Sequence, residues 1–139
     1  MEDRFAKIKE GFNASNGFLK TANLRVVEVE QDHAIVMLDA GQDELNIYGM
    51  VHGGVYFTLA DTAAGICALT NGPDVVTLDS SMNFIHAGKP GPLTAHARTI
   101  HAGKSTGVYQ VNVFDAQNQL LATALFTMYF FRTSKPHAH

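Results

Sequence analysis

The acidic residue Asp61 is the side chain whose type and setting point most directly to chemistry. It lies in the apolar segment Phe57 to Gly65. Between Val51 and Pro73, Asp61 and His52 are the only acidic or basic residues. A carboxylate among apolar neighbours loses solvation unless it is hydrogen-bonded or protonated, and groups held in that way are frequent in active sites. Two interpretations stay open: a catalytic carboxylate, or one that reaches an exposed gap or anchors a structural hydrogen bond.

One histidine and two glycines, His52, Gly53 and Gly54, precede that segment. At the start of a helix the backbone N–H groups lack helical acceptors and the dipole is positive, so this position favours an anion. Glycine amides there would have the geometry of an oxyanion hole, with His52 and Gly54 beside the substrate. The alternative is a flexible entry to a helix, with His52 as a cap. Asn46, six residues before His52, could direct its amide to the same place or serve only a turn.

The spacing between the two candidate groups decides how they can cooperate. Gly53 and Asp61 are eight residues apart, which on one α-helix is about 12 Å. A general base has to lie within about 3 Å of the atom it serves, directly or through one water. Two antiparallel copies of the helix would place each amide opposite the other's carboxylate. The spacing therefore predicts a homodimer with two equivalent sites across its interface.

The elements that must position these residues follow from periodicity and turn signals. Val51 to Asn71 contains almost no charge and no polar stripe, which predicts a central helix that is buried on all sides. A short amphipathic helix is predicted over residues 2–16. Runs of β-branched and aromatic residues predict six strands: Arg25 to Glu30, Ala34 to Leu38, Val75 to Ile85, Leu93 to His101, Thr106 to Phe114 and Leu120 to Phe131.

Short connections define the expected fold class. They leave no room for crossover helices between the last four strands, so these strands should be antiparallel. The prediction is an α+β fold in which a curved antiparallel sheet is wrapped around one long central helix. No repeat or linker divides residues 1–139, so a single domain with a polar tail over residues 133–139 is expected. So short a sheet cannot both cover the helix and close on itself, and its edge or far face should meet a partner.

The composition argues against several classes of protein. Apolar residues make up 46% of the chain and charged residues 17%, which favours an oligomer. A net charge of -3 and the lack of a basic run argue against nucleic acid as a partner. No stretch approaches about eighteen apolar residues, so no membrane span is expected. The single cysteine indicates a reducing, cytoplasmic setting.

Three further features look like chemistry and are interpreted as structure. Gly103 to Gly107 matches G-x-S-x-G, but a strand follows it where a nucleophile elbow needs a helix. Cys67 lies about 120° around the helix from Asp61, so it is interpreted as a core residue. His96 and His101 are five residues apart on one strand and are expected on opposite faces, so no metal site is predicted.

The segment running from Asn46 through His52, Gly53 and Gly54 to Asp61 resembles the hotdog-fold acyl-CoA thioesterases of the phenylacetate-degradation type. The resemblance covers roughly residues 46–131. It implies an acyl-CoA substrate, no cofactor, and a homodimer that often pairs into a tetramer. It also implies that the Gly53 N–H polarises the thioester carbonyl, that the partner's Asp61 acts as general base or nucleophile, and that Asn46 helps to hold water or substrate.

Other positions are less specific. The family's accessory polar role on the strand after the helix is left open among three residues: Asp79, Ser80 and Ser81. The segment Tyr48 to Met50 could shape the acyl pocket. Three cations are candidates for binding the CoA phosphates: Lys89, Arg98 and Lys104.

Thioester hydrolysis is the leading functional hypothesis. The alternative is a non-catalytic acyl-CoA or fatty-acyl binding protein on the same fold, which would have no need for a carboxylate beside the thioester. A dehydratase or hydratase that pairs His52 with Asp61 ranks below both.

Overall fold

The structure, a computed structural model, describes residues 2–133, so residues 134–139 of the predicted tail lie outside the described residues. The helices are α1 over Glu2–Ala14, α2 over Phe18–Thr21 and α3 over Gly53–Leu69. The strands are β1 over Leu24–Glu30, β2 over His33–Ala40, β3 over Asp74–Phe84, β4 over Gly91–Ala102, β5 over Thr106–Phe114 and β6 over Leu120–Phe131. The sequence pattern had located all of these except the short α2.

The six strands form one antiparallel sheet in the order β1-β2-β4-β5-β6-β3. Helix α3 contacts every one of these strands, so the sheet curls around it. The predicted α+β architecture is confirmed. Strands β1 and β3 are the two edges of the sheet. None of the helices in the described part of the chain is long and apolar enough to cross a lipid bilayer.

The core lies between α3 and one face of the sheet, here called the inner face. Strand residues alternate between this face and the opposite, outer face, as the pleat requires. Small side chains such as Ala95 and Ala97 on β4, facing Ala60 and Ala63 on α3, are fully buried and allow close packing of helix on sheet. The helix contributes eight buried residues: Tyr56, Leu59, Ala60, Ala63, Ala64, Ile66, Cys67 and Ala68.

One side of α3 is not covered within this chain, so the prediction that the helix is buried on all sides is wrong for a single chain. Gly54 and Phe57 are exposed, and Thr58, Asp61 and Gly65 are half-buried. These positions recur at helical spacing and form a stripe along the helix. Because most of them are small or polar, the sequence pattern concealed the stripe among apolar residues.

A β-bulge in β4 corrects a second expectation. The register of β4 against β5 shifts between Thr99 and His101, so that His96 pairs with Asn112 and His101 pairs with Val108. The bulge therefore places both histidines on the outer face instead of on opposite faces. Their partners are four residues apart along β5, about 13 Å, so the two histidines still do not converge.

The carboxyl-terminal end of α3 is anchored by a distant arginine. Arg4 Nη2 donates to the carbonyl oxygens of Leu69 at 2.5 Å and of Gly72 at 3.1 Å. Gln31 Nε2 donates to the Thr70 carbonyl oxygen at 3.0 Å. Carbonyls in the last turn of a helix have no intrahelical donor, so these side chains satisfy groups that would otherwise need water.

Asn71 adds a polar network just beyond that end. Its Oδ1 accepts hydrogen bonds from the Tyr109 hydroxyl at 2.6 Å and from the Thr99 hydroxyl at 3.2 Å. Its Nδ2 donates to Asp32 Oδ1 at 2.7 Å. The network ties α3 to β4, β5 and the turn between β1 and β2, and it gives the buried Tyr109 hydroxyl a partner.

Candidate active site

The amino-terminal end of α3 presents a single unused backbone donor. His52 is the N-cap residue, and its Nδ1 accepts a hydrogen bond from the Gly54 N–H at 2.8 Å. No acceptor among residues 2–133 takes the N–H of Gly53. Gly54 is thus committed to the cap, and Gly53 is the amide that can donate to a bound oxygen, with the helix dipole behind it.

One aromatic ring, that of Phe84, lies next to Gly53. A Cβ on Gly53 would lie 3.4 Å from the Phe84 ring, and Phe84 in turn contacts Tyr56 with ring centroids 6.0 Å apart. Phe84 is 56% exposed, which is unusual for so large an apolar side chain. The ring provides an apolar wall next to the unused amide, at a distance that a Cβ would meet in ordinary van der Waals contact.

The side chain of Asn46 makes its hydrogen bonds within its own loop, before α3. Its Oδ1 accepts from the backbone N–H of Tyr48 at 2.9 Å and of Met50 at 3.1 Å. This bonding holds a tight loop whose tip, Ile47 and Tyr48, is 91% and 76% exposed. The amide oxygen of Asn46 is therefore occupied by its own loop, and only the Nδ2 group could serve a substrate or water.

Asp61 projects from the uncovered stripe of α3, where it is half-buried. The hydroxyl of Thr77 on β3 donates to Asp61 Oδ1 at 2.6 Å. Such a bond fixes the carboxylate and leaves its other oxygen available to accept a proton. Asp61 faces a gap and also makes a hydrogen bond, which are the two features of the structural interpretation, and the catalytic interpretation stays a prediction.

Thr77 is the residue that the sequence pattern missed. A bulge between Thr77 and Asp79 shifts the register of β3, so that Thr77 pairs with the buried Met128 and Ser80 with the buried Phe126. Asp79 and Ser81 pair with Thr127 and Leu125 and face outwards. Simple alternation cannot locate a bulge, and no motif in the sequence marks one.

The two candidate groups do not meet within one chain. Gly53 and Asp61 lie at the first turn and the middle of the same helix, with an axial separation of about 12 Å. The structure gathers His52, Gly54 and Phe84 around Gly53, and it gathers Thr77 around Asp61. It brings no residue of the second group to the first.

The three candidate cations lie at different places. Lys89 follows Gly88, whose carbonyl accepts from the Val51 N–H at 2.9 Å, close to the start of α3. Arg98 is on the outer face and is bonded to Gln110. Lys104 belongs to the turn between β4 and β5, where Ser105 bonds to Phe130, a residue that packs on Gly72 beyond the other end of α3. Only Lys89 is near the Gly53 amide of its own chain.

Cys67 is fully buried on α3. Burial raises the pKa of its thiol to about 11. A thiol that stays protonated at neutral pH is a poor nucleophile, which agrees with its interpretation as a core residue.

Comparison with known proteins identifies the family of the chain. The family model of the thioesterase superfamily matches residues 48–122, a stretch that contains both Gly53 and Asp61. The 1,4-dihydroxy-2-naphthoyl-CoA hydrolase of Listeria monocytogenes is 33% identical over 115 residues, which cover 81% of this chain and 94% of that protein.

Two further proteins match over most of their length. Acyl-coenzyme A thioesterase PaaI of Escherichia coli is 31% identical over 104 residues, covering 74% of each chain. The structure of E. coli PaaI superposes with a TM-score of 0.87 and 25% identity over 93% of this chain and 94% of that one. The smu.793 protein of Streptococcus mutans, solved bound to acetyl CoA, is 36% identical with a TM-score of 0.79 and covers 88% of this chain and 100% of that one.

Proposed function

Because the chain belongs to the thioesterase superfamily and is a thioester hydrolase, we propose that it hydrolyses acyl-CoA at two equivalent sites of a homodimer. Each site combines the Gly53 amide of one subunit with Asp61 of the other. The observation that carries this proposal is the Asp61 carboxylate, held by Thr77 on the uncovered stripe of α3 and separated from its own Gly53.

The chemistry follows from the two groups. Asp61 accepts a proton from water as the water oxygen attacks the thioester carbonyl carbon. The Gly53 N–H donates to the carbonyl oxygen as negative charge develops there. Collapse of the tetrahedral intermediate breaks the carbon–sulfur bond and releases the free acid and CoA thiolate, which takes up the proton from Asp61 and restores the carboxylate.

The second subunit is supported by the exposed surface of this chain. The stripe on α3 contains Gly54, Thr58 and Gly65, whose small side chains would allow another helix to approach closely. The neighbouring edge strand β3 exposes Val76 and Leu78. An antiparallel partner helix on this stripe would bring each Asp61 to the other chain's Gly53.

CoA as the carrier is supported by the names of the relatives, a naphthoyl-CoA hydrolase and an acyl-coenzyme A thioesterase. In this chain Phe84 offers exposed apolar surface next to Gly53 for the acyl group, and Ile47 and Tyr48 add exposed apolar surface in the loop that precedes α3. Lys89 is the cation placed to meet CoA phosphate at the same end of the helix.

The first experiment tests Asp61 directly. Release of CoA thiol is measured for a panel of aryl- and alkyl-acyl-CoA substrates with wild type, Asp61→Asn and the matched control Asp39→Asn, an exposed aspartate of β2. Removal of a general base is expected to lower kcat by about 10²–10⁴-fold, whereas the control should retain the wild-type rate. An unchanged rate in Asp61→Asn would contradict the proposed role, and CoA binding without turnover of any substrate would favour a binding protein.

The second experiment tests the shared site. Two inactive chains, Asp61→Asn and Gly53→Pro, are mixed in equal amounts after unfolding and refolding together. Half of the dimers then carry one chain of each kind, and each of these has one intact site, so about one quarter of the wild-type activity should return. No recovery, or a strictly monomeric mass with full activity of the wild type, would contradict a site made from two subunits.

A further inference from the structure

We propose that Glu28, Glu30, His33 and His96 bind a zinc ion on the outer face of the sheet. This site is independent of the thioesterase site, since α3 lies on the inner face. It would join the edge hairpin of β1 and β2 to the central strand β4.

A β-bulge aims the two carboxylates at the first histidine. The register of β1 against β2 shifts between Val26 and Glu28, so that Val26 and Val29 both face the core while Glu28 and Glu30 pair with Ile35 and His33 on the outer face. Without the extra residue, alternation from Val26 would turn Glu28 and Glu30 inwards. The bulge thus brings both carboxylates to the face that His33 occupies.

The donor atoms are already close together. One ligand atom from each of Glu28, Glu30 and His33 lies within 4.8 Å of the other two, and His33 Nδ1 is 3.7 Å from Glu28 Oε2. Tetrahedral zinc with bonds of about 2.0–2.1 Å holds its donors about 3.3 Å apart. Small rotations of the partly exposed glutamate side chains close the remaining gap.

His96 supplies the fourth ligand. Its ring centroid is 6.2 Å from that of His33, and two imidazoles on one tetrahedral zinc have centroids about 5 Å apart at those bond lengths. Phe114 packs against His96 at right angles with centroids 5.5 Å apart, which restricts the ring orientation.

The charges around the four ligands suit a divalent cation. Two carboxylates and two neutral imidazoles balance the charge of Zn²⁺, and imidazole donors favour zinc over magnesium or calcium. Arg98 is the cation beside the proposed site, since it pairs in register with His33 on the neighbouring strand. Its guanidinium bonds to Gln110 on β5, on the side of β4 away from β1, so it does not occupy the site.

The expectation of no metal site considered His96 as a metal ligand only in combination with His101. These two histidines do not converge, whereas His96 meets His33 from the neighbouring strand. The site joins residues separated by more than sixty positions in the sequence, so no local motif indicates it.

The experiment is zinc titration of the purified full chain in competition with a chromophoric chelator. Because His137 and His139 of the tail could bind zinc themselves, all proteins carry His137→Ala and His139→Ala. We expect one zinc per chain in this background and binding weaker by more than about tenfold in His96→Ala and in the isosteric Glu28→Gln. His101→Ala, a histidine on the same strand and face, is the matched control and should bind as the background does.

Thermal unfolding gives a second readout. Zinc should raise the Tm of the background protein and of His101→Ala, but not that of His33→Ala, while all three hydrolyse thioester at the same rate. The proposal is overturned if the background protein binds no zinc, if His101→Ala weakens binding as much as His96→Ala, or if Glu28→Gln leaves the affinity unchanged.

Discussion

The two ends of α3 are built in opposite ways. At the carboxyl end, backbone carbonyls accept hydrogen bonds from Arg4 and Gln31, and Asn71 joins the helix to the sheet. At the amino end, the N–H of Gly53 has no acceptor in the part of the chain that the structure describes, and the exposed ring of Phe84 lies next to Gly53. Backbone groups of α3 therefore have side-chain partners at the carboxyl end, whereas a backbone donor is left unused at the amino end.

This difference distinguishes a helix end with a structural role from a helix end that can bind a ligand. Backbone groups at a buried helix end need partners, so an end provided with many side-chain donors has a structural role. An end that keeps an amide unused, next to an exposed ring and a projecting loop, is suited to a ligand that supplies the missing acceptor. The anchored end fixes the position of the helix, and the open end can then present Gly53 in one orientation.

Of the changes at the two ends of α3, removal of the Gly53 N–H should have the largest effect on activity. Gly53→Pro removes the N–H without disturbing the helix, because proline is favoured at the first helical position and His52, with φ -64° and ψ 139°, already has the conformation that precedes proline. Loss of one oxyanion donor should lower kcat by about 10²–10³-fold.

The control for this substitution is Gly53→Ala, which adds a Cβ against the same Phe84 ring and keeps the N–H. The rate of Gly53→Pro is to be compared with that of Gly53→Ala, not with the wild type alone. Equal rates in the two variants would mean that the amide is not used and that the two ends of the helix do not differ in function.

Loss of the Asn71 side chain at the carboxyl end of α3 should reduce the stability of the protein and leave its catalytic rate unchanged. Asn71→Ala leaves the buried Tyr109 hydroxyl without its acceptor, which should lower the free energy of unfolding by about 1–3 kcal/mol. Urea unfolding measures this loss, and kcat per folded molecule should stay near the wild-type value.

A double-mutant cycle sharpens that result. Tyr109→Phe removes the hydroxyl itself, so Asn71→Ala should have a smaller effect in a Tyr109→Phe background than in the wild type. Additive losses would show that the hydrogen bond between Asn71 and Tyr109 does not account for the anchoring.

The hydroxyl that positions Asp61 should have a moderate effect on catalysis. Thr77→Val keeps the shape of the side chain and removes the donor to Asp61 Oδ1. We expect kcat to fall about tenfold, with KM unchanged, in steady-state hydrolysis of acyl-CoA. Thr77→Ser retains the hydroxyl and should restore most of the rate, so a Thr77→Ser variant as slow as Thr77→Val would show that packing, and not the hydrogen bond, matters at this position.

The smallest expected effect concerns acid stability at the anchored end. Donation from the Asn71 side chain, followed by that from Thr99, lowers the pKa of Asp32 below its usual value. A carboxyl with a lowered folded-state pKa adds stability above about pH 4 and loses that contribution as the pH falls through the folded value. The difference in unfolding free energy between wild type and Asp32→Asn should therefore shrink between pH 6 and pH 3, and a constant difference would exclude this linkage.

Much of the fold could be predicted because it depends on local pattern. The strands follow runs of β-branched and aromatic residues, and the central helix ends near the Asn71-Gly72-Pro73 stop. The prediction that the site needs two chains, which stays a prediction, came from the number of residues between Gly53 and Asp61, because helical geometry converts that number directly into a distance.

The remaining features depend on contacts that a linear pattern does not contain. Thr77 meets Asp61 across the packing of β3 on α3, and Arg4 reaches carbonyls more than sixty residues away. The occupation of the Asn46 amide oxygen by its own loop and the half-exposed stripe of α3 also depend on how the elements meet in three dimensions. Periodicity predicts which elements form, and not which of their polar atoms are already paired.

The contact between Arg4 and the last turn of α3 has a consequence for biosynthesis. The acceptors of Arg4 reach to Gly72, so at about 5–20 residues per second they leave the ribosome some seconds after the arginine itself. Helix α1 can bond to β1 early, through Asn13 and Val26, but the contacts of Arg4 form only after the central helix is finished. In nascent chains the segment around Arg4 should therefore stay accessible to protease until that moment, although it is made before the helix that it anchors.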